Sequence, residues 1–248
     1  MTFIPNPERL LAALDLTFPL IGIYDAPDTL GFEPLVSPEH GQHNCLFKFY
    51  SQWQAGQTLH LTRDTAGCGG SAHWLFGKET RTREEFAKFL AITEGLKDTI
   101  ELMNRWIEHE KPYKPEHGNL LIGPLKNDKI QYLKTITFFV TPDQLSVLSM
   151  GAHYYHSPED MLPPIISPMG SGCMQMLPLL KDLDFPQAII GSMDIALRHF
   201  LPPCIMAFTV TLPMFMQLCQ LEERSFLNKP FLRNLKNARG EKSIGSIT

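Results

Sequence analysis

The chain has 248 residues, of which 44% are hydrophobic and 19% charged, and a formal net charge of −4. It is long enough for one large domain or two small ones with a real core, and its acidic balance gives nucleic acid no electrostatic footing as main partner. The five cysteines (Cys45, Cys68, Cys173, Cys204, Cys219) include no C-x-x-C pair, and Met1-Thr2-Phe3-Ile4-Pro5 has no signal-peptide core; a reducing, cytoplasmic setting is expected rather than a disulfide framework.

Asn6-Pro7-Glu8 reads as a cap with proline at the first helical position, opening a helix through Leu10, Leu11 and Leu14. Leu20 to Tyr24 reads as a short buried strand. From Cys45, the apolar residues Leu46, Phe47, Tyr50 and Trp53 recur at helical spacing until Gly56. Thr58 to Thr62 is a strand running into Gly67-Cys68-Gly69-Gly70 and a short helix with Ser71, His73, Trp74 and Phe76. Thr82-Arg83-Glu84-Glu85 matches a capping box. The helix it opens is expected to carry Phe86, Phe89, Leu90, Leu96, Ile100, Met103 and Ile107 as one core-facing stripe.

Asn119 to Ile122 and Thr135 to Val140 read as strands, the second closed by the helix start Thr141-Pro142-Asp143-Gln144. Cys204 to Thr211 repeats that design. Two stretches without charge, Met161 to Leu180 and His199 to Leu221, are broken by prolines and glycines. Buried strand followed by buried helix fits them better than a membrane span. The stretch 235–248 is polar and reads as a flexible tail, leaving one domain over 1–234. Strands alternating with helices give an α/β or α+β domain with a central mixed sheet flanked by helices. Two glycine-flanked cysteines, Gly67-Cys68-Gly69-Gly70 and Gly170-Ser171-Gly172-Cys173, hint at an internal pseudo-repeat.

The helix from Cys45 to Gly56, the Cys68-Gly69-Gly70 loop, the segment Phe138-Phe139-Val140-Thr141-Pro142-Asp143-Gln144, the Cys173 helix and Asp194-x-x-x-Arg198 occur in an order that resembles the uncharacterised prokaryotic family known as domain of unknown function 169. The resemblance runs from about Pro19 to Leu221. It implies a cytoplasmic protein and a set of positions to watch (Cys45, Cys68, Cys173, Asp194, Arg198), but no substrate. The chain departs from it at Cys68, where a Cys-Pro-Gly-Gly-like turn is expected and Gly67-Cys68-Gly69 stands.

Cysteine at a helix N-terminus is expected to have a lowered pKa, favouring the thiolate that binds metals. Cys45, Cys68 and Cys173, from three distant segments, therefore form a candidate site for an iron–sulfur cluster or zinc, with His43 or His73 near a fourth position. Redox or small-molecule activity is the natural extension. The alternative is a metal-free module holding a small anion or organic cofactor on Gly67, Gly69, Gly70 and Gly172, with Arg198 and Asp194 as the charged pair beside them. Neither loop matches a nucleotide fingerprint. Thiol chemistry at Cys68 with His73 as base ranks third. Against all of these stands the plain reading of cysteine as a small buried hydrophobe, which is the reading for Cys204 and Cys219.

Overall fold

The computed structural model describes residues 7–42, 44–160, 162–180 and 182–239. Its strands are β1 (Ile21–Asp25), β2 (Leu35–Val36), β3 (Thr58–Thr62), β4 (Asn119–Pro124), β5 (Leu133–Val140), β6 (Ile165–Ile166), β7 (Ala188–Gly191) and β8 (Met206–Thr211). Its helices are α1 (Glu8–Leu14), α2 (Tyr50–Gln54), α3 (Gly69–Phe76), α4 (Arg83–Lys88), α5 (Ile100–His109), α6 (Pro142–His153), α7 (Leu212–Cys219) and α8 (Pro230–Ala238). Single turns of 3-10 helix at Leu46–Phe49, Met174–Met176 and Ile195–Phe200 matter for the site.

All eight strands join one sheet in the order β2-β3-β4-β1-β5-β8-β7-β6. The outer pairs β2–β3 and β6–β7 are parallel and the remaining neighbours antiparallel. The expected mixed sheet flanked by helices is therefore present. The central strands read as near-continuous apolar runs because both faces are covered. On one face, Ile21, Ile23, Leu61, Ile122 and Phe139 pack under Phe47, Trp53, Trp74, Met103, Met174 and Leu197. On the other, Tyr24, Ile136, Phe138, Phe208 and Val210 pack under α1, α6, α7 and α8 through Leu10, Leu148, Phe215 and Leu232. The functional loops lie on the first face.

Read inward from either edge, the strand order and pairing senses are the same: parallel edge pair, then two antiparallel partners. This likeness does not establish a repeat. The two Cys-Gly loops fall at unlike places, since Cys68 follows β3 whereas Cys173 precedes β7. Counted by topology, Cys45 matches Cys173, each in the link between two parallel strands. Cys68 matches Asp194, each following the second strand of its pair.

The single long helix expected from Thr82 is corrected. The capping box forms, with the Glu85 N–H on Thr82 and the Glu85 carboxylate on the Thr82 N–H, but α4 passes into a π-helical turn at Phe89–Thr93 and stops at Gly95. Gly95 has φ +64°, a left-handed conformation that ends a helix. Thr99 then caps α5 afresh through the Leu102 N–H. Leu96, expected on the core stripe, is exposed. The proposed tail boundary at 235 also falls inside α8, where Lys236 pairs with Asp15 at 2.7 Å and Arg239 with Asp143 at 2.7 Å. Residues 240–248 and the expected cap Asn6 lie outside the described residues.

Candidate functional site

Four chain segments begin a helical turn at the same place on the first sheet face. Cys45 is the N-cap of the turn Leu46–Phe49, Cys68 of α3, Cys173 of Met174–Met176 and Asp194 of Ile195–Phe200. The caps differ in the backbone N–H groups they leave: those that open α3 after Cys68 have no intrahelical partner, whereas the Met174 N–H bonds the Ser171 carbonyl at 2.9 Å and the Ala196 N–H bonds Asp194 Oδ1 at 3.0 Å.

Glycine makes this convergence possible. A Cβ on Gly172 would stand 2.0 Å from Leu197 Cδ2 and 2.6 Å from Phe47 Cε2, so the Cys173 loop lies directly on the turns that start at Asp194 and Cys45. A Cβ on Gly67 would stand 1.8 Å from the Gln42 carbonyl oxygen, which presses the Cys68 loop against the segment leading to Cys45. A Cβ on Gly70 would lie 3.5 Å from Ser171 Oγ and 3.7 Å from Cys68 Sγ, so the two Cys-Gly loops face each other. Gly69 has open space around it and plays no such part. The glycines read from the sequence as an anion cradle thus serve, at 67 and 172, to let backbones touch.

The three sulfurs and the Asp194 carboxylate lie within electrostatic reach of one another. Burial pushes the Cys45 thiol from 9.0 to about 11, and neighbouring Cys68 and Asp194 push it the same way; the Phe47 N–H and Lys48 act against them. Cys173, buried, is raised further by desolvation and then by Cys68, Cys45 and Asp194, with the Met174 N–H opposing. Glu94, just past the π-helical turn, is raised by burial and by Asp194. This corrects the expectation of a lowered thiol pKa for Cys173 in its glycine-flanked loop. The favourable field of one short turn is outweighed by loss of water and by like-signed neighbours, two at Cys45 and three at Cys173.

His73, expected as a fourth ligand or base, is packed among Trp74 and Phe86 at ring-centroid distances of 4.4 and 4.8 Å. Its Nε2 is buried without a hydrogen-bond partner among the described residues, and burial lowers its pKa, keeping the ring neutral. His43 lies outside the described residues. Among the described residues no three His, Cys, Asp or Glu side chains are grouped closely enough to hold one metal ion, so the zinc expectation has no support from the geometry. All five cysteines are free thiols. Cys219 is half-buried against the second core, its pKa pushed up to about 12 by burial. Cys204 is likewise half-buried, close enough to Tyr50 to influence its titration.

Arg198 does not face Asp194. Its Nη1 donates to the Ile205 carbonyl at 2.6 Å and its Nη2 to the Pro203 carbonyl at 2.8 Å, tying the turn to the approach of β8. Asp194 instead accepts from the Ala196 N–H at 3.0 Å through Oδ1.

Two residues that the sequence reading passed over complete the site. Gln175, fully buried two residues beyond Cys173, donates to the Gly170 carbonyl at 3.2 Å and accepts from the Met193 N–H at 3.2 Å. It staples the Cys173 and Asp194 loops together. Ser192 has φ +61°, a left-handed backbone carried by a non-glycine residue, and its buried hydroxyl has no partner among the described residues. The signal for Gln175 was legible: one amide between Met174 and Met176 in a run without charge. Nothing local marks Ser192.

No helix among the described residues is long and apolar enough to cross a membrane. A family model for domain of unknown function 169, described as an uncharacterised ArCR family, matches residues 9–220. No curated protein and no solved structure matches the chain.

Proposed function

The chain belongs to the domain of unknown function 169 family, whose description carries no activity, and from its geometry we propose a protein that holds an iron–sulfur cluster on Cys45, Cys68 and Cys173. The observation that carries this reading is the convergence of three thiols, each at a helical N-cap, from segments more than twenty residues apart. Gly67 and Gly172 are the close contacts that enforce it.

Thiols that raise one another's pKa are poorly placed to ionise with the site empty, and a bound cation reverses that penalty. A cluster fits better than a single ion. Its own atoms bridge the space between thiolates, so it does not need three ligand side chains grouped on one ion, a grouping not found among the described residues. The N–H groups that open α3 after Cys68 suit the sulfides of such a centre, since hydrogen bonds to sulfur are among the protein's means of tuning it. When bound, the cluster supplies electron transfer or an open iron. The chain's own part is to position the thiols, limit water through Phe47 and Leu197, and fix the loops through Gln175.

The alternative of a small organic or inorganic anion has less behind it. Arg198 is committed to two carbonyls, and Asp194 and Glu94 place like charge where an anion would sit.

Anaerobic purification followed by iron and sulfide analysis and an absorption spectrum tests the reading. Stoichiometric iron with a broad thiolate-to-iron band is expected, lost on Cys45→Ser, Cys68→Ser or Cys173→Ser and retained on Cys204→Ser. Colourless, iron-free protein that stays so after reconstitution with ferrous iron and sulfide would rule it out.

A further inference from the structure

Of the three thiols, Cys45 and Cys68 are half-buried and within reach of small solutes, whereas Cys173 is buried at 7% exposure. Cys45 and Cys68 also share a backbone conformation. Each caps its helical turn from an extended conformation (φ −68°, ψ 139° and φ −87°, ψ 130°), and neither sulfur is used as a cap acceptor. Cys173 already stands in the helical region, at φ −65° and ψ −31°.

The segments that carry the two extended caps touch one residue before each sulfur. A Cβ on Gly67 would stand 3.4 Å from the Asn44 backbone nitrogen, besides its overlap with the Gln42 carbonyl oxygen at 1.8 Å. Gly67 and Asn44 immediately precede Cys68 and Cys45, and a side chain at 67 would hold their backbones apart. A disulfide joins cysteines whose Cα atoms stand about 4.4–6.8 Å apart, and this contact brings the pair toward that range. Cys68 is also the charged neighbour that acts most strongly on Cys45, ahead of Asp194 and Lys48. Cys173 is less free to shift, since Gly172 lies on Leu197 and Phe47 and Gln175 holds the Gly170 carbonyl and the Met193 N–H.

We propose that Cys45 and Cys68 are a redox-active pair, joined by a disulfide when hydrogen peroxide oxidises the metal-free protein and parted again by a thiol reductant. The peroxide O–O bond breaks as one sulfur takes an oxygen, giving a sulfenic acid, and the first water leaves. The second sulfur attacks the sulfenic sulfur, the S–S bond forms, and the oxygen departs as the second water. Two thiols thus give two electrons and two protons to one peroxide. The new bond closes the loop that holds α2 and β3. It also consumes two of the three thiols, so the oxidised chain has no three-thiol set to offer, whatever that set binds.

The test uses the full chain, reduced, stripped of metal with a chelator, freed of reductant under nitrogen and then treated with hydrogen peroxide. Thiol counting and mass spectrometry of the alkylated, unreduced digest read the result. Two of the five thiols are expected to disappear into one linked peptide pair that contains Cys45 and Cys68 and that dithiothreitol separates. Cys173→Ser is expected to leave this pair intact. Cys45→Ser is expected to abolish it, with circular dichroism checking the fold; the map of the unsubstituted chain does not depend on that variant. A linked pair that includes Cys173, a link between two chains, or five thiols surviving a dose that oxidises the urea-unfolded chain overturns the pairing. A chain that forms the pair yet takes up no iron when reduced overturns the cluster reading alone. One that takes up iron and forms no pair overturns the pairing alone.

Discussion

Gly172→Ala isolates the contact on which the convergence of the cysteine loops depends. The new methyl would stand 2.0 Å from Leu197 Cδ2 and 2.6 Å from Phe47 Cε2. Carbon atoms in contact rest about 3.5–4.0 Å apart, so Leu197 must retreat by roughly 1.5 Å. Neither neighbour has room, since Leu197 is 2% exposed and Phe47 1%, and a close-packed interior yields little. Gly172 has no left-handed φ, so alanine brings no backbone strain and the effect is one of packing alone. Overpacking of this kind costs about 1–3 kcal/mol. In a chain of this length that lowers Tm by about 2–12 °C, at roughly 2–4 °C per kcal/mol. Differential scanning calorimetry measures it, with Gly69→Ala as the control because its Cβ meets nothing within 4 Å. Leu197→Ala alone should cost about 2–5 kcal/mol by leaving a cavity. Combined with Gly172→Ala it should cost less than the two together, because the added methyl occupies part of that space. A Gly172→Ala Tm equal to that of Gly69→Ala, or a strictly additive double variant, would refute the reasoning.

Arg198→Met is expected to cost about 1–3 kcal/mol, since the Ile205 and Pro203 carbonyls lose their charged donor; an unchanged Tm would instead mark Arg198 as free for a ligand. The raised thiols make stability depend on alkaline pH. With its folded pKa lifted from 9.0 to about 11, Cys45 holds its proton more tightly in the native state. Its contribution is fully present below about pH 9 and is lost as pH rises through about 11. Urea titrations of the metal-free protein across that window should show stability falling, with a shallower slope in Cys45→Ala; equal slopes would contradict the burial argument.

Much of the fold was legible because local chemistry decides it. Thr82 and Thr141 form the capping boxes that their spacing announces. Thr58–Thr62 forms a strand over the residues expected, and Gly56 ends the preceding helix with φ +83°. β7 and the two-residue edge strand β2 went unread, since pairing and not periodicity makes them strands; β6 falls in the stretch Met161 to Leu180 read as strand then helix. The helix from Thr82 was overextended because a shared apolar period looks the same whether one helix or two carry it. Only the left-handed Gly95 distinguishes the cases. In the candidate site, Cys68 and Cys173 were named from their glycine neighbours, and Cys45 and Asp194 from the family resemblance. Gln175 was not, although an amide between two methionines in an uncharged run marked it, because its partner Met193 lies in another loop; Ser192 was not, because its left-handed φ and its buried, unpartnered hydroxyl are set by the folded backbone.

By itself the sequence determined the mixed α/β class, the helix starts and the cysteine-bearing loops, all of which depend on residues within one or two turns of each other. The tertiary structure decided what those loops do to one another. It set Gly67 and Gly172 against neighbouring segments, turned Arg198 to backbone carbonyls and gathered the thiols beside Asp194. It also reversed the expected direction of the Cys173 thiol pKa. The field of a helix end is a local property that sequence can announce, whereas desolvation and like charge are properties of whatever the completed fold brings near.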